Sequence, residues 1–268
     1  MQLVRGLHNL RPRHRGCVAT IGNFDGVHRG HQAILARLRE RAQELGVPSC
    51  VVIFEPQPRE FFAPETAPAR LARLRDKLQL LAAEGVDRVL CLAFNQRLSK
   101  LGAAEFVDTI LVEGLGVQHL EVGDDFRFGC DRAGDFDFLL QAGKASGFTV
   151  EAAQTVELDG LRVSSTQVRN ALAGVYLVSV EIDGQPWPGV ANIGVRPTVA
   201  GDGNAHLEVH LLDFAGDLYN RRLTVVFHHK LRDEQRFASL EALKTAINAD
   251  VAAARAHWQG SPLTKSLK

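Results

Sequence analysis

Neither charge is in excess in this sequence: 31 Lys and Arg residues stand against 31 Asp and Glu. That balance removes the basic field on which non-specific nucleic-acid binding depends, and it points to small-molecule partners. No apolar run reaches the ~18 residues that a membrane-spanning helix needs. The opening stretch, Met1-Gln2-Leu3-Val4-Arg5-Gly6, has no long apolar region of the secretory kind, so the expectation is an unexported, cytoplasmic protein without a membrane partner. The four cysteines, Cys17, Cys50, Cys91 and Cys130, include no close pair. Zinc knuckles and CxxC redox motifs are thereby excluded, and a reducing compartment fits. A Walker loop is missing, and no G-x-G-x-x-G follows a strand-like run, so P-loop kinases and dinucleotide-dependent dehydrogenases lose their main signature. Repeats and low-complexity tracts are absent as well.

What is present is ordinary globular material, 46% hydrophobic and 23% charged over 268 residues. The length favours one large domain with a smaller partner. Through the first half, short apolar runs alternate with helical periodicity: strands at Cys17 to Ile21, Cys50 to Phe54, Arg88 to Ala93, His119 to Gly123 and Phe148 to Ala152. Between them fall helices at Gln32 to Leu45, about Ala69 to Ala83, about Ala103 to Glu113 and near Asp135 to Ala145. Such alternation predicts a mostly parallel sheet covered on both faces, with ligands at the carboxyl ends of the strands. The loops after Ile21, Phe54 and Gly123 are therefore the places to look. From Gly174 the texture turns to β, with strands at Val175 to Ile182, Leu207 to Phe214 and Leu223 to His229. Turn signals lie at Asp183-Gly184, Gly201-Asp202-Gly203 and Ala215-Gly216-Asp217, and a last amphipathic helix covers Leu240 to His257.

After the first of these strands the chain reads Gly22-Asn23-Phe24-Asp25-Gly26-Val27-His28-Arg29-Gly30-His31 and enters a helix. Free N–H groups and the helix dipole make that junction favourable for phosphate. Gly22 and Gly26 allow close backbone approach, and His28 and His31 can lie on one side to donate hydrogen bonds. A tight turn with surface or capping histidines is the plain alternative. A metal site would need further ligands and usually an i, i+4 spacing, so no metal ligands are assigned. Farther on, Ser164, Ser165 and Thr166 precede a short helical run, where hydroxyls can cap the helix or meet phosphate, and Arg169 follows one turn later as a charge clamp.

With these residues the sequence resembles the bacterial bifunctional riboflavin kinase/FMN adenylyltransferases, or FAD synthetases. The run Gly22 to His31 matches the family's nucleotidyltransferase motif, and Val163-Ser164-Ser165-Thr166-Gln167-Val168-Arg169 matches its second phosphate motif. Phe54-Glu55-Pro56-Gln57-Pro58-Arg59-Glu60 and Gly123-Asp124-Asp125-Phe126-Arg127-Phe128-Gly129 look like two further landmarks. The resemblance implies a Rossmann-like α/β nucleotidyltransferase domain over residues 1–173 that transfers AMP from ATP to FMN. In it His28 and His31 hold phosphates, Gly22, Asn23, Phe24, Gly30, Ser164, Ser165 and Thr166 bind ATP, and Arg169 acts on pyrophosphate. Arg59, Asp125, Phe126 and Phe128 would meet the flavin, and magnesium would accompany ATP. A flavin-binding module without turnover and a transferase with another phosphorylated acceptor are the competing readings.

Residues 174–258 resemble the family's riboflavin kinase module, a small antiparallel β-barrel-like domain with a C-terminal helix, followed by a tail at 259–268. Gly189-Val190-Ala191-Asn192-Ile193-Gly194-Val195-Arg196-Pro197-Thr198 and Leu207 to Asp213 carry the likeness. Alternation puts Glu208 and His210 opposite Leu207, Val209 and Leu211, and by resemblance Glu208 is the base acting on the riboflavin 5′-hydroxyl. Here the chain departs from the family. Where a connecting helix, the first barrel strands and a Pro-Thr-Ala-Asn motif are expected, Ala173 runs straight into Gly174. The expectation is an incomplete barrel with an unpaired sheet edge, and adenylyl transfer without riboflavin phosphorylation.

Overall fold

The protein is described here from a computed structural model, covering residues 1–123, 125–158, 161–195, 205–235 and 237–260. The chain divides into two compact units, Met1–Val168 and Arg169–Lys268. The border falls before the Ala173/Gly174 boundary expected from the sequence.

The first unit is a six-stranded sheet, and every strand pair in it is parallel. Its strands are β1 (Gln2–Arg5), β2 (Cys17–Ile21), β3 (Ser49–Glu55), β4 (Arg88–Ala93), β5 (Val117–Gly123) and β6 (Thr149–Ala153), in the order β1-β4-β3-β2-β5-β6. All five residues of β2 are buried and β3 is buried through Phe54, as befits central strands covered on both faces. One face holds Cys17, Ala19, Val52, Leu90 and Leu120 against Val107, Ile110, Leu111 and Leu139. The other packs Val18, Val51, Ile53 and Val89 against Leu35, Leu38 and Leu81.

The covering helices are α1 (Arg29–Leu45), α2 (Pro58–Phe62), α3 (Leu74–Ala83), α4 (Gln96–Ser99), α5 (Ala103–Phe106) and α6 (Phe136–Ser146). α5 continues as a π-type turn through Leu115. α1 ends on Gly46 in the left-handed region, and Asp135 caps α6 by accepting the Phe138 N–H at 2.9 Å. Several elements escape the sequence pattern, the short helices α2 and α4 among them. β1 is a short edge strand with one buried residue, and the hairpin β7 (Glu157–Leu158) to β8 (Leu161–Arg162) has only two residues a side. The helix expected from Ala69 begins instead at Leu74, because the preceding backbone is held by contacts to the first motif.

Chain order in the sheet reverses at β2. The path runs outward through β3 and β4, then returns to place β5 on the other side of β2. The crevice at the carboxyl ends of β2 and β5 is thus the topological switch point, where parallel sheets bind ligands.

α7 (Ser165–Leu172) leads to the second unit, an antiparallel sheet of β9 (Gly174–Ile182), β10 (Gln185–Val195), β11 (Ala205–Leu211) and β12 (Thr224–Asp233), ordered β11-β10-β9-β12. β12 outruns its expected end through two irregularities in register against β9. α8 (Leu240–Gly260) packs Val251, Ala254 and Trp258 on Val175, Leu177, Val190 and Leu212. Among the described residues β11 and β12 are the outer strands, and they leave Leu207 and Phe227 exposed. The turn expected at 201–203, the run 196–198 and the tail from 261 lie outside the described residues.

Candidate functional site

At the switch point, a cavity of about 320 Å³ opens between the loop after β2 and the loop before α7. Asn23, His28, Gly30 and His31 line it from the first motif, and Ser164 and Ser165 from the second. Gly123, Asp125 and Arg162 complete it. Sequence separation is bridged directly: Ser165 Oγ donates to the Asp25 backbone carbonyl at 3.1 Å.

The first-motif loop is held in a conformation that few sequences adopt. Phe24, Gly26 and Val27 all have positive φ, at 47°, 79° and 39°. For a β-branched residue such as Val27 this is strained backbone, of a kind that persists where surrounding contacts over-determine it. Those contacts are visible. Phe24 and Val27 are buried in the core. The Asp25 side chain, 1% exposed, accepts the Leu71 and Ala72 backbone N–H groups at 3.0–3.1 Å. This cradle is why the chain just before α3 stays out of the helix. Gly30 lets α1 approach the second motif, since a Cβ there would stand 3.1 Å from the Val163 carbonyl.

His28 is the N-cap of α1, and its Nδ1 accepts the His31 N–H at 3.4 Å. With Nδ1 accepting, the neutral ring carries its proton on Nε2, as a donor. His31 stacks on His28 with ring centroids 3.7 Å apart and lies 4.8 Å from the Phe24 ring. Burial, then the neighbouring His28 and Lys77, push the His31 pKa down to about 3, so its imidazole is neutral at physiological pH. The arrangement sets the neutral His31 ring against His28 at a helix N-terminus, a place suited to an anion.

The other expected site residues are placed as follows. Gly22 directly follows β2, and Thr166 is exposed on α7. Phe24 packs beneath His31 in the core. Arg59 is exposed on α2, after the strand end at Glu55. Asp125 is exposed and ion-paired with Arg162 at 3.2 Å. Phe126 is half-buried and stacks on Phe128, whose own ring is 6% exposed among Phe106 and Phe138. Arg169 lies on α7, beyond the unit border, and Glu208 lies on β11.

In the second unit Glu208 lines a separate cavity of about 480 Å³ with Asn192, to which it is register partner across β10 and β11. Arg232 and Asp250 form a bidentate ion pair in the same wall. Among the described residues no three His, Cys, Asp or Glu side chains come together as a metal cluster. No helix among them is long and apolar enough to cross a membrane.

Two features were not read from the sequence. Arg162 reaches the cavity from a hairpin too short for strand periodicity to reveal; its place two residues before Ser164 was the available signal. An aromatic shelf of Phe61, Phe62 and Phe94, with ring centroids 5.3–5.5 Å apart, follows the ends of β3 and β4, and Phe62 is 65% exposed.

Known proteins resemble the chain along almost all of it. The family described as FAD synthetase matches residues 10–167, and the family described as riboflavin kinase matches residues 143–258. A relative from Pseudomonas fluorescens, named bifunctional riboflavin kinase/FMN adenylyltransferase, is 74% identical over 304 aligned positions, which cover 96% of this chain and 97% of its own. The relative of the same name from Escherichia coli K12 is 46% identical, with 95% and 97% covered. A solved structure described as a macrolide-efflux protein from Streptococcus pneumoniae shares the fold, with a TM-score of 0.62 at 22% identity over 95% of this chain and 99% of that one. The first alignment, at 304 positions against 268 residues, contains at least 36 positions with no residue of this chain.

Proposed function

The chain belongs to the family of bifunctional riboflavin kinase/FMN adenylyltransferases, and we propose that its first unit makes FAD from FMN and ATP. A phosphate oxygen of FMN attacks the α-phosphorus of ATP in line. The new O–P bond forms as the bond to the β-phosphate bridging oxygen breaks, and pyrophosphate leaves. No covalent enzyme intermediate is needed, so the protein's work is positioning and charge stabilisation.

The observation that carries this reading is the single cavity in which the His28–His31 donors face Ser164 and Ser165, with the two motifs joined through Ser165 and Asp25. His28 and His31 donate to the phosphates, Asn23 and the α1 N-terminus bind the nucleotide, and the serine hydroxyls and Thr166 hold the leaving side. Arg169, one turn beyond Ser165, is assigned to pyrophosphate. Magnesium enters as the counterion of ATP and belongs to the substrate. Arg59, Asp125 and Phe126 serve the flavin end. The Phe61, Phe62 and Phe94 shelf offers faces on which an isoalloxazine ring can stack. Phe128 acts behind Phe126 as packing. The reaction takes place in the cytoplasm, where ATP and FMN are available.

For the second unit we propose loss of riboflavin phosphorylation. The unmatched positions of the alignment are assigned to the Ala173–Gly174 junction, where α7 passes to β9 through one residue. The segment expected there carries the Pro-Thr-Ala-Asn motif. Purified protein given FMN, ATP and magnesium should form FAD and pyrophosphate in equal amounts. Tight FMN binding without pyrophosphate would instead mark a flavin-binding module. Turnover only with a different phosphorylated acceptor would mark another transferase.

A further inference from the structure

The β1 edge of the first sheet holds a second cleft, which shares no residue with the cavity of the two motifs. Its volume is about 370 Å³, and it is lined by β1 and by residues of the single helical turns at Leu7–Asn9 and Pro12–His14. β4 and β3 stand between β1 and β2 in the sheet, a separation of three strand spacings, ~14 Å. The polar lining consists of Gln2, Arg5, Asn9, Arg13 and His14, with no carboxylate among them.

His14 is 2% exposed, and its Nδ1 accepts the Arg11 backbone N–H at 3.0 Å. The neutral ring then carries its proton on Nε2. Burial, followed by the charges of Arg88, Arg13 and Arg11, holds the His14 pKa below its usual 6.5, so the ring is neutral at physiological pH. Two more donors meet that Nε2–H: the Gln2 amide nitrogen at 3.1 Å and Arg13 Nε at 3.4 Å. Turning the Gln2 amide end for end would bring one acceptor, its Oε1, to His14. Arg13 would still be directed at another donor.

Arg88, on β4, is the register partner of Gln2. It is 7% exposed; its Nη1 donates to the His14 carbonyl at 2.6 Å, and its buried Nε has no hydrogen-bond partner. A guanidinium so enclosed is ordinarily paired with an acid. Among the described residues none of Arg5, Arg13 and Arg88 has a carboxylate partner. Asp87, next to Arg88 in the chain, turns to Ser49, accepting its N–H at 2.9 Å and its hydroxyl at 2.8 Å. The chain thus gathers donors and positive charge here without supplying the acceptor.

We propose that the cleft beside β1 binds a phosphate-type oxyanion, which accepts from Gln2, His14 Nε2–H and Arg13 as they converge, with Arg5 at its exposed side and Arg88 as the enclosed charge that favours it. Guanidinium groups present paired N–H donors that match the oxygens of such an anion. The site is separate from adenylyl transfer and does not rest on that reading.

The test titrates the full chain, labelled with nitrogen-15, with inorganic phosphate at fixed pH and ionic strength. The side-chain amide signals of Gln2 and Asn9 report on this cleft and should move along a saturating curve. Arg13→Gln should weaken binding about tenfold, the scale of one charge-assisted hydrogen bond, and Arg13→Lys, which keeps the charge, by less. Arg88→Met should weaken it by a similar factor. Should that variant not fold, Arg13→Gln and Arg5→Gln decide, since both positions are exposed. Pyrophosphate then distinguishes the source of the anion: binding at least fivefold tighter than phosphate assigns a polyphosphate, and equal binding assigns a single phosphoryl group. Shifts that do not saturate, acetate bound as tightly as phosphate, or unchanged affinity in Arg13→Gln would each overturn the proposal. A chain that makes no FAD still gives the same titration, so the two readings fail separately.

Discussion

Ser165 and Asp25 stand 140 residues apart in the chain and are joined by a 3.1 Å hydrogen bond from the serine hydroxyl to the aspartate carbonyl. The same Asp25 holds Leu71 and Ala72 through its carboxylate, so one residue gathers three separate segments around the cavity. Ser165→Ala releases the second motif from the first. A net hydrogen bond of this kind is worth ~1 kcal/mol in stability, whereas misplacing a reacting group by an ångström can slow a reaction ~100-fold. FAD formation should therefore fall by ~10-fold or more while the melting temperature changes by only a few degrees. A variant that loses both in proportion would mark the bond as structural.

His28→Ala and His31→Ala each remove an N–H donor from the cavity. They should abolish most adenylyl transfer, by ~100-fold or more, on the scale of losing a preorganised donor at developing charge. Circular dichroism should stay native, since His28 is half-buried and lies at a helix end. Full activity in both variants would remove the histidines from the reaction.

His31 also makes a stability prediction with a definite sign. Its pKa in the folded state, about 3, lies below the ordinary 6.5. The stability associated with its neutral ring is complete above pH 6.5 and is lost as the pH falls toward 3, at up to ~1.4 kcal/mol per pH unit. His31→Phe keeps the stacking partners and removes the proton site. Urea unfolding should show a shallower loss of stability from pH 6.5 to 4.5 in the variant than in the wild type, and parallel curves would contradict the assignment.

The sheet, its order of helices and the cavity's two motifs were legible in the sequence because each is local. An apolar run, a glycine turn and a helix start sit within a few residues of each other from Cys17 to Leu45. What was not legible depends on distant partners. Nothing in Ala69 to Arg73 announces that Asp25 will hold this backbone out of a helix. Phe128 shares its sequence neighbourhood with Phe126, yet only packing against Phe106 and Phe138 sends it into the core. Arg162 depends on a hairpin too short to leave a period-two pattern. The second unit's β10 was veiled by Pro186, Pro188 and Gly189 inside the strand, residues that ordinarily argue against one.

Glu121 gives a pH prediction of the opposite sense. It is 1% exposed on β5, with Arg37 at 3.2 Å, and burial raises its pKa from 4.5 to about 7. A raised folded pKa means that its contribution is complete below pH 4.5 and is lost as the pH rises through 7. Glu121→Gln imitates the protonated acid. It should therefore be more stable than the wild type at pH 8, by ~1–3 kcal/mol, and nearly equal to it at pH 4.5. Equal stabilities at both pH values would show that the Arg37 pair offsets the burial.

Riboflavin is the substrate on which the second unit is expected to fail. Glu208 and Asn192 remain together on β11 and β10, beside a cavity of about 480 Å³, so the carboxylate proposed as base still borders a ligand-sized space. What it lacks are the residues that would follow Ala173. A phosphoryl transfer depends on groups that cradle the nucleotide and its metal, and a base alone cannot replace them. The chain should give no FMN from riboflavin and MgATP above the rate without protein, while it converts added FMN to FAD. Inserting the unmatched segment of the Pseudomonas fluorescens relative between Ala173 and Gly174 should restore riboflavin phosphorylation, and Glu208→Gln in that lengthened chain should remove it again. Robust FMN production by the 268-residue chain itself would place the catalytic groups elsewhere and end the argument from the shortened junction.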